Sequence, residues 1–176
     1  YPILLMGPTG AGKTQLAKQI AQLNKNPNES SNENSNESPK EGSEEGPPFI
    51  AVNCATLTGD LAQSSLFGYK KGAFTGAIED YQGYLEQANG GTLFLDEIGE
   101  LSLETQAMLL KAIEEKEFYP LGSNDIKKPE FRLICGTNRD LEEQVQKGTF
   151  RKDLLERINV WSYRLPGLAE RREDID

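Results

Sequence analysis

The sequence predicts an α/β fold: a three-layer αβα sandwich built around a five-stranded, mostly parallel sheet. Three observations carry this reading. Apolar runs of strand length recur along the chain, separated by stretches with helical apolar spacing, which is the pattern of repeated βα units. The first run leads into a glycine-rich loop and then directly into a helix. The third run ends on two adjacent carboxylates.

The elements follow in order. Ile3-Leu4-Leu5-Met6 is the first strand. After it, Leu16, Ala17, Ile20, Ala21 and Leu23 recur on one helical face. Asn24 to Gly46 is low-complexity, with six Glu, two Lys and no Leu, Ile, Val or aromatic residue. Such a segment buries too little apolar surface to offset its ordering entropy, so a disordered insertion is expected at 24–46, either a plain solvated loop or a partner-binding one. Phe49 to Cys54 is the second strand, and Leu57 to Phe67 reads as a helix with Leu57, Leu61 and Leu66 on its apolar side. Tyr84 to Ala88 is a short helix closed by Asn89-Gly90-Gly91. Thr92 to Leu95 is the third strand.

Ser102 is placed to cap the next helix, whose apolar face is expected from Leu103, Ala107, Leu110 and Ile113. Phe118 to Gly122 is expected as a short edge strand, and Phe131 to Asn138 as a buried one. Two helices over Asp140–Lys147 and Arg151–Arg157 precede a last strand at Asn159–Leu165, stopped by Pro166-Gly167.

Composition bounds the function. The chain has 176 residues, 36% hydrophobic and 27% charged, enough for one domain with a sizeable core. No apolar run approaches the roughly 18 residues that a membrane span needs, and no signal peptide is expected. The chain runs from Tyr1-Pro2 straight into a core strand and stops as abruptly at Asp176, so a fragment of something longer is expected. A net charge of −9 argues against gripping nucleic acid through this piece alone. With no His, histidine catalysis is excluded. Cys54 and Cys135 lie in apolar runs and read as reduced core thiols, too few for a metal site.

Gly7-Pro8-Thr9-Gly10-Ala11-Gly12-Lys13-Thr14 matches G-x-x-x-x-G-K-[ST] at every fixed position, between a strand and a helix as that motif requires. Glycines let successive N–H groups turn inward and cradle phosphate oxygens at a helix N-terminus. Lys13 would reach the β- and γ-phosphates of a nucleotide, and the Thr14 hydroxyl would ligate Mg²⁺. Asp96-Glu97 closes the third strand at its C-terminal end, where ligands bind in open α/β sheets. There Asp96 is suited to the Mg²⁺ shell and Glu97 to orienting a water that attacks ATP. Asn138, at another strand end, is either a γ-phosphate contact or a simple turn residue. Arg151 and Arg157 are either surface arginines or groups that enter a neighbouring subunit's site in an oligomer. Phe74 stands among Gly68, Gly72 and Gly76, either as an exposed contact residue at a loop tip or tucked into the core.

Together these residues resemble the AAA+ domain of bacterial enhancer-binding proteins, the activators of sigma-54 RNA polymerase. Gly72-Ala73-Phe74-Thr75-Gly76-Ala77 is that family's GAFTGA loop without a mismatch, and the resemblance covers nearly all the chain outside 24–46. It implies an AAA+ P-loop ATPase that is cytoplasmic and uses ATP and Mg²⁺. It further implies assembly as a ring, expected to be a hexamer, and contact with sigma-54 through Gly72–Ala77. It implies that Asp96-Glu97 are the Walker B pair, that Asn53 pairs with and switches the catalytic Glu, and that Asn138 is sensor I. Arg151 and Arg157 match the arginine fingers supplied across the ring. Family members continue into a helical lid with a sensor II Arg and usually a DNA-binding domain, which are not expected within these residues. The strings around Val52–Asp60, Met108–Lys116 and Ile158–Leu168 are similar to regulators of the RNA-repair operon. Two other readings stay open: an AAA+ ATPase of another type, such as a clamp loader or unfolding motor, and an inactive nucleotide-binding remnant.

Overall fold

A computed structural model describes residues 1–23 and 46–167. The insertion expected at 24–46 therefore lies outside the described residues, apart from Gly46, as do residues 168–176.

The strands are β1 (Ile3–Met6), β2 (Phe49–Asn53), β3 (Thr92–Asp96), β4 (Arg132–Thr137) and β5 (Trp161–Arg164). The helices are α1 (Lys13–Leu23), α2 (Asp60–Phe67), α3 (Tyr84–Gln87), α4 (Leu103–Glu115), α5 (Leu141–Gln146) and α6 (Lys152–Ile158), with single 3₁₀ turns at Cys54–Thr56 and Ile98–Glu100. The sheet order is β2-β3-β4-β1-β5, and every pairing is parallel. All five strands therefore point the same way, and their C-terminal ends form one edge.

Side chains on a strand alternate between faces, and the core divides accordingly. Leu4, Leu93, Leu95, Leu133 and Cys135 enter the larger cluster, with Leu66, Phe67, Leu85, Leu109 and Leu154 from the helices. Ile3, Leu5, Phe94 and Ile134 enter the smaller one, against Ala17 and the half-buried Leu16 and Ile20 of α1. So α1 covers one face and α2 to α6 serve the other, which gives the three expected layers. β5 sits at the sheet edge with all four residues exposed.

Three local expectations are corrected. The helix expected from Leu57 begins at Asp60, because Asn53 caps a separate 3₁₀ turn and Gly59 takes φ 55° just before the helix. Its buried side is Ala62, Leu66 and Phe67, while Leu61 is 53% exposed. The buried face of α4 is Thr105, Gln106, Leu109, Leu110 and Ala112, and Leu103 is 46% exposed. That face is turned because Thr105 and Gln106 find hydrogen-bond partners inside, which removes the usual penalty for burying them. Phe118–Gly122 joins no sheet. It makes single bridges, Phe118 with Lys127 and Leu121 with Tyr69, and Pro120 between them has no N–H to extend a ladder.

Candidate functional site

The site lies where β1, β3 and β4 end. β1 delivers the glycine loop, whose Gly7 N–H is held by Thr137 O of β4 at 3.1 Å. Gly10 and Gly12 take φ of 85° and 91°, and a Cβ at either would face open space. The loop is therefore curled by backbone geometry that side-chain-bearing residues rarely adopt, and it is left accessible. Lys13 opens α1 and is only 4% exposed. Its ammonium donates to Gly7 O at 2.8 Å and to Pro8 O at 3.4 Å, and lies 3.8 Å from Glu97 Oε1. A buried cation is costly unless paired, and here carbonyls and a carboxylate surround it. Thr14 is half-buried on the first turn of α1.

β3 delivers the carboxylates. Asp96 Oδ1 accepts from Glu97 N–H at 3.0 Å. Glu97 then takes φ 55°, ψ 48°, a left-handed conformation that costs a side-chain-bearing residue about 1–3 kcal/mol. Such strain persists only where its surroundings enforce it, and here it turns the Glu97 carboxylate toward Lys13 and β4. Asn138 N–H donates to Glu97 Oε2 at 3.3 Å, and its side-chain amide donates to Thr9 Oγ1 at 3.1 Å. Asn138 thus bridges the glycine loop and the carboxylate across 129 and 41 residues of chain.

Beside them, Asn53 is level with Asp96 in the β2–β3 register. Its side-chain oxygen accepts from Ala55 N–H at 3.0 Å, capping the turn that follows. Its described hydrogen bonds run to that turn rather than to Glu97. Below lies Cys54, its thiol pushed up to about 12 by burial first and then by the charges of Asp96 and Glu97. Burial also raises Cys135, with Cys54 adding to it. Both thiols are protonated and buried, as expected of core residues.

The two arginines lie elsewhere. Arg151 is the N-cap of α6, and its guanidinium makes two hydrogen bonds to Asp153, at 3.0 and 2.8 Å. That pairing raises Arg151 and holds Asp153 below the usual carboxylate range. Arg157, near the end of α6, lines a cavity of about 690 Å³ with Tyr1, Pro2 and Phe131. These neighbours precede β1 and β4, so the cavity opens on the edge opposite the glycine loop. Among the described residues, neither arginine is joined to Lys13, Glu97 or Asn138 of its own chain.

The segment Gly72–Ala77 is the tip of a loop closed at its base by Tyr69 and Tyr81, which exchange backbone hydrogen bonds of 3.0 and 2.8 Å. Gly72 N–H bonds Ala77 O at 2.9 Å, with Gly72 and Gly76 at φ 86° and 99°. Phe74 is 44% exposed, and its ring leans edge-on against Tyr69 at 4.8 Å, which in turn stacks on Tyr81 at 5.4 Å. Of the two readings, the exposed aromatic at a loop tip is the one observed.

Sequence reasoning missed the left-handed Glu97. It also missed Gly136, where a Cβ would lie 2.5 Å from Asp96 Oδ1, and the buried amides of Gln106 and Gln144. Gln144 Oε1 is buried without a hydrogen-bond partner among the described residues and packs against Gly99. The left-handed turn at Glu97 has no signal in the sequence, since it exists only as a backbone angle of the folded chain. The others depend on contacts between distant segments.

An all-parallel sheet with a phosphate loop after β1 and paired acids at the end of β3 defines the P-loop nucleoside triphosphatase class, in its AAA+ form. Residues 1–164 match the family described as the sigma-54 interaction domain, and the chain belongs to that family. It is similar to the transcriptional regulatory protein RtcR of Escherichia coli (strain K12), 54% identical over 175 residues, 99% of this chain and 30% of that protein. It is 44% identical to the Nif-specific regulatory protein of Azotobacter vinelandii, over 98% of this chain and 30% of that one. A solved structure of NtrX from Brucella abortus in complex with ATP superposes with a TM-score of 0.79 at 34% identity, covering 99% of this chain and 35% of NtrX. The chain thus spans about a third of the length of the relatives it matches. Among the described residues, no helix is long and apolar enough to cross a membrane.

Proposed function

We propose that this chain binds and hydrolyses ATP and uses the cycle to act on sigma-54 through the Gly72–Ala77 loop, as the cytoplasmic AAA+ core, residues 1–176, of a transcription activator. The observation that carries this is the convergence of Lys13, Glu97 and Asn138 on the glycine loop, drawn from three strand ends. The Gly7–Thr14 backbone and the N-terminus of α1 receive the phosphates. Lys13 exchanges its carbonyl partners for phosphate oxygens. Glu97, held in its left-handed turn by Asp96 and Asn138, accepts the proton of the attacking water, and the Asn138 amide orients that water against the γ-phosphate.

Thr14 and Asp96 fit a Mg²⁺ ion. Among the described residues there is no cluster of three His, Cys, Asp or Glu side chains, and Mg²⁺ is ordinarily held by one or two carboxylates together with substrate phosphates. When bound, the ion neutralises charge on the β- and γ-oxygens. Arg151 and Arg157 serve the site of a neighbouring subunit in a ring, hexameric by family resemblance. Their separation from their own chain's glycine loop supports this. Asn53 exchanges its cap on Ala55 for Glu97 in the idle state, and so acts as the switch. The similarity to RNA-repair-operon regulators supports a role of that kind for the whole protein.

The test is Phe74→Ala in the intact protein. ATPase activity is expected to persist while capture of sigma-54 is lost. Normal capture by the variant would show that the loop assignment is wrong. Lys13→Ala is expected to abolish ATP binding.

A further inference from the structure

We propose that Gln106 positions Arg151 for the neighbouring subunit's nucleotide, a role that rests on the reading of Arg151 as the group delivered there. Gln106 lies on the inner face of α4 with no exposed surface. Its Nε2 donates to Leu101 O at 2.8 Å and to Thr149 O at 3.0 Å, and its Oε1 accepts from Arg151 N–H at 2.8 Å. The partners fix the orientation of the amide, since two carbonyls require the NH₂ end and an N–H requires the oxygen.

Those partners lie on three different segments. Leu101 directly follows the Ile98–Glu100 turn that starts from the strained Glu97. Thr149 lies in the connection from α5 to α6, and Arg151 heads α6. That connection is also held from the α5 side, where Gln144 O accepts from the N–H groups of Thr149 and Phe150, and by the buried Phe150 side chain. Gln106 holds the Arg151 N–H, while the Arg151 carbonyl accepts from Leu155 N–H at 3.1 Å as the first bond of α6. Arg151 has extended backbone angles, φ −75° and ψ 130°, outside the helix that would otherwise set its direction. The peptide orientation therefore sets the point from which the side chain leaves the backbone, and Asp153 holds the guanidinium at its far end. One buried amide thus ties the turn that carries a subunit's own Glu97 to the arginine it presents next door.

A group misplaced by about 1 Å can lose 10²-fold in rate. Gln106→Leu in the intact protein is therefore expected to lower ATPase kcat by about 10- to 100-fold with little change in KM, since the nucleotide loop is untouched. A general packing defect would move KM and binding as well. Subunit mixing makes the test specific. Glu97→Gln subunits lack their own hydrolysis but keep a correctly held Arg151, so adding them to Gln106→Leu subunits should restore turnover. Adding Arg151→Ala subunits should not.

If Arg151→Ala alone keeps normal kcat, the arginine reading fails. If Arg151→Ala is inactive but Gln106→Leu keeps its kcat, or is not restored by Glu97→Gln subunits, the inference about Gln106 is overturned and the arginine reading stands. Should Gln106→Leu not fold, amide exchange of the unaltered protein decides. The Arg151 N–H is expected to exchange as slowly as the core amides of α4, and exchange at the rate of an open loop would overturn the proposal.

Discussion

Adding one methyl group at Gly136 tests the site without replacing a functional side chain. Gly136 lies in β4, and its φ is not in the left-handed region, so alanine is acceptable to the backbone. The difficulty is space. A Cβ there would sit 2.5 Å from Asp96 Oδ1 and 3.1 and 3.2 Å from two ring carbons of Phe94. Ordinary contact begins at 3.4 Å, so the carboxylate oxygen is short by 3.4 − 2.5 = 0.9 Å. Phe94 is buried in the smaller core cluster and cannot swing away. The Asp96 carboxylate must therefore move, taking its 3.0 Å bond to Glu97 N–H with it. Overpacking of this kind costs about 1–3 kcal/mol of stability. A displacement approaching 1 Å at a group that positions the reaction is worth about 10²-fold in rate. Gly136→Ala is thus expected to remain folded with a lowered melting temperature and to lose about 10²-fold in kcat/KM for ATP. A coupled ATPase assay across ATP and Mg²⁺ concentrations, run beside a thermal melt, measures both. A lowered melting temperature with unaltered ATPase would refute the role given to Asp96.

Other outcomes follow from the same geometry. Cys54 is raised from about 9.0 to about 12, so it stays protonated in the folded protein while an unfolded chain would ionise. Its contribution is complete below pH 9 and is lost as pH rises through about 12. Denaturant midpoints are expected to fall across that window, less so in Cys54→Ala, and neither cysteine should be alkylated in native protein at pH 8. Ser102→Ala removes the oxygen that accepts from Thr105 N–H at 3.2 Å and is expected to cost about 1 kcal/mol, roughly 2–4 °C in Tm. Tyr69→Ala removes the ring on which Phe74 leans and is expected to weaken sigma-54 capture while leaving ATPase activity intact. Equal loss of both would contradict the separation of loop and site.

Much of the fold was legible because β1 and β3 are contiguous apolar runs and the starts of α4 and α5 follow the capping residues Ser102 and Asp140. The phosphate loop and Asp96-Glu97 were legible for a related reason, since their chemistry needs particular residues at fixed short spacing. The edges of elements were not. Leu57 looks like a helix residue until Asn53 caps a turn and Gly59 delays the helix to Asp60. Gln106 looks like a surface position until Leu101, Thr149 and Arg151 close around it, the last from 45 residues away. Gly136 reads as a weak strand residue, and only the packed sheet shows that it makes room for the Asp96 carboxylate.

We propose that Glu97, held against Lys13 and Asn138, drives hydrolysis of a nucleotide bound at Gly7–Thr14. Glu97→Gln tests it most directly, because the amide keeps an oxygen for Asn138 N–H but cannot take up a proton from water. Single-turnover hydrolysis and ATP binding should be measured together in the intact protein. Binding is expected to be retained while hydrolysis falls by about 10²–10⁴-fold. Hydrolysis at the unaltered rate with ATP still bound would contradict it.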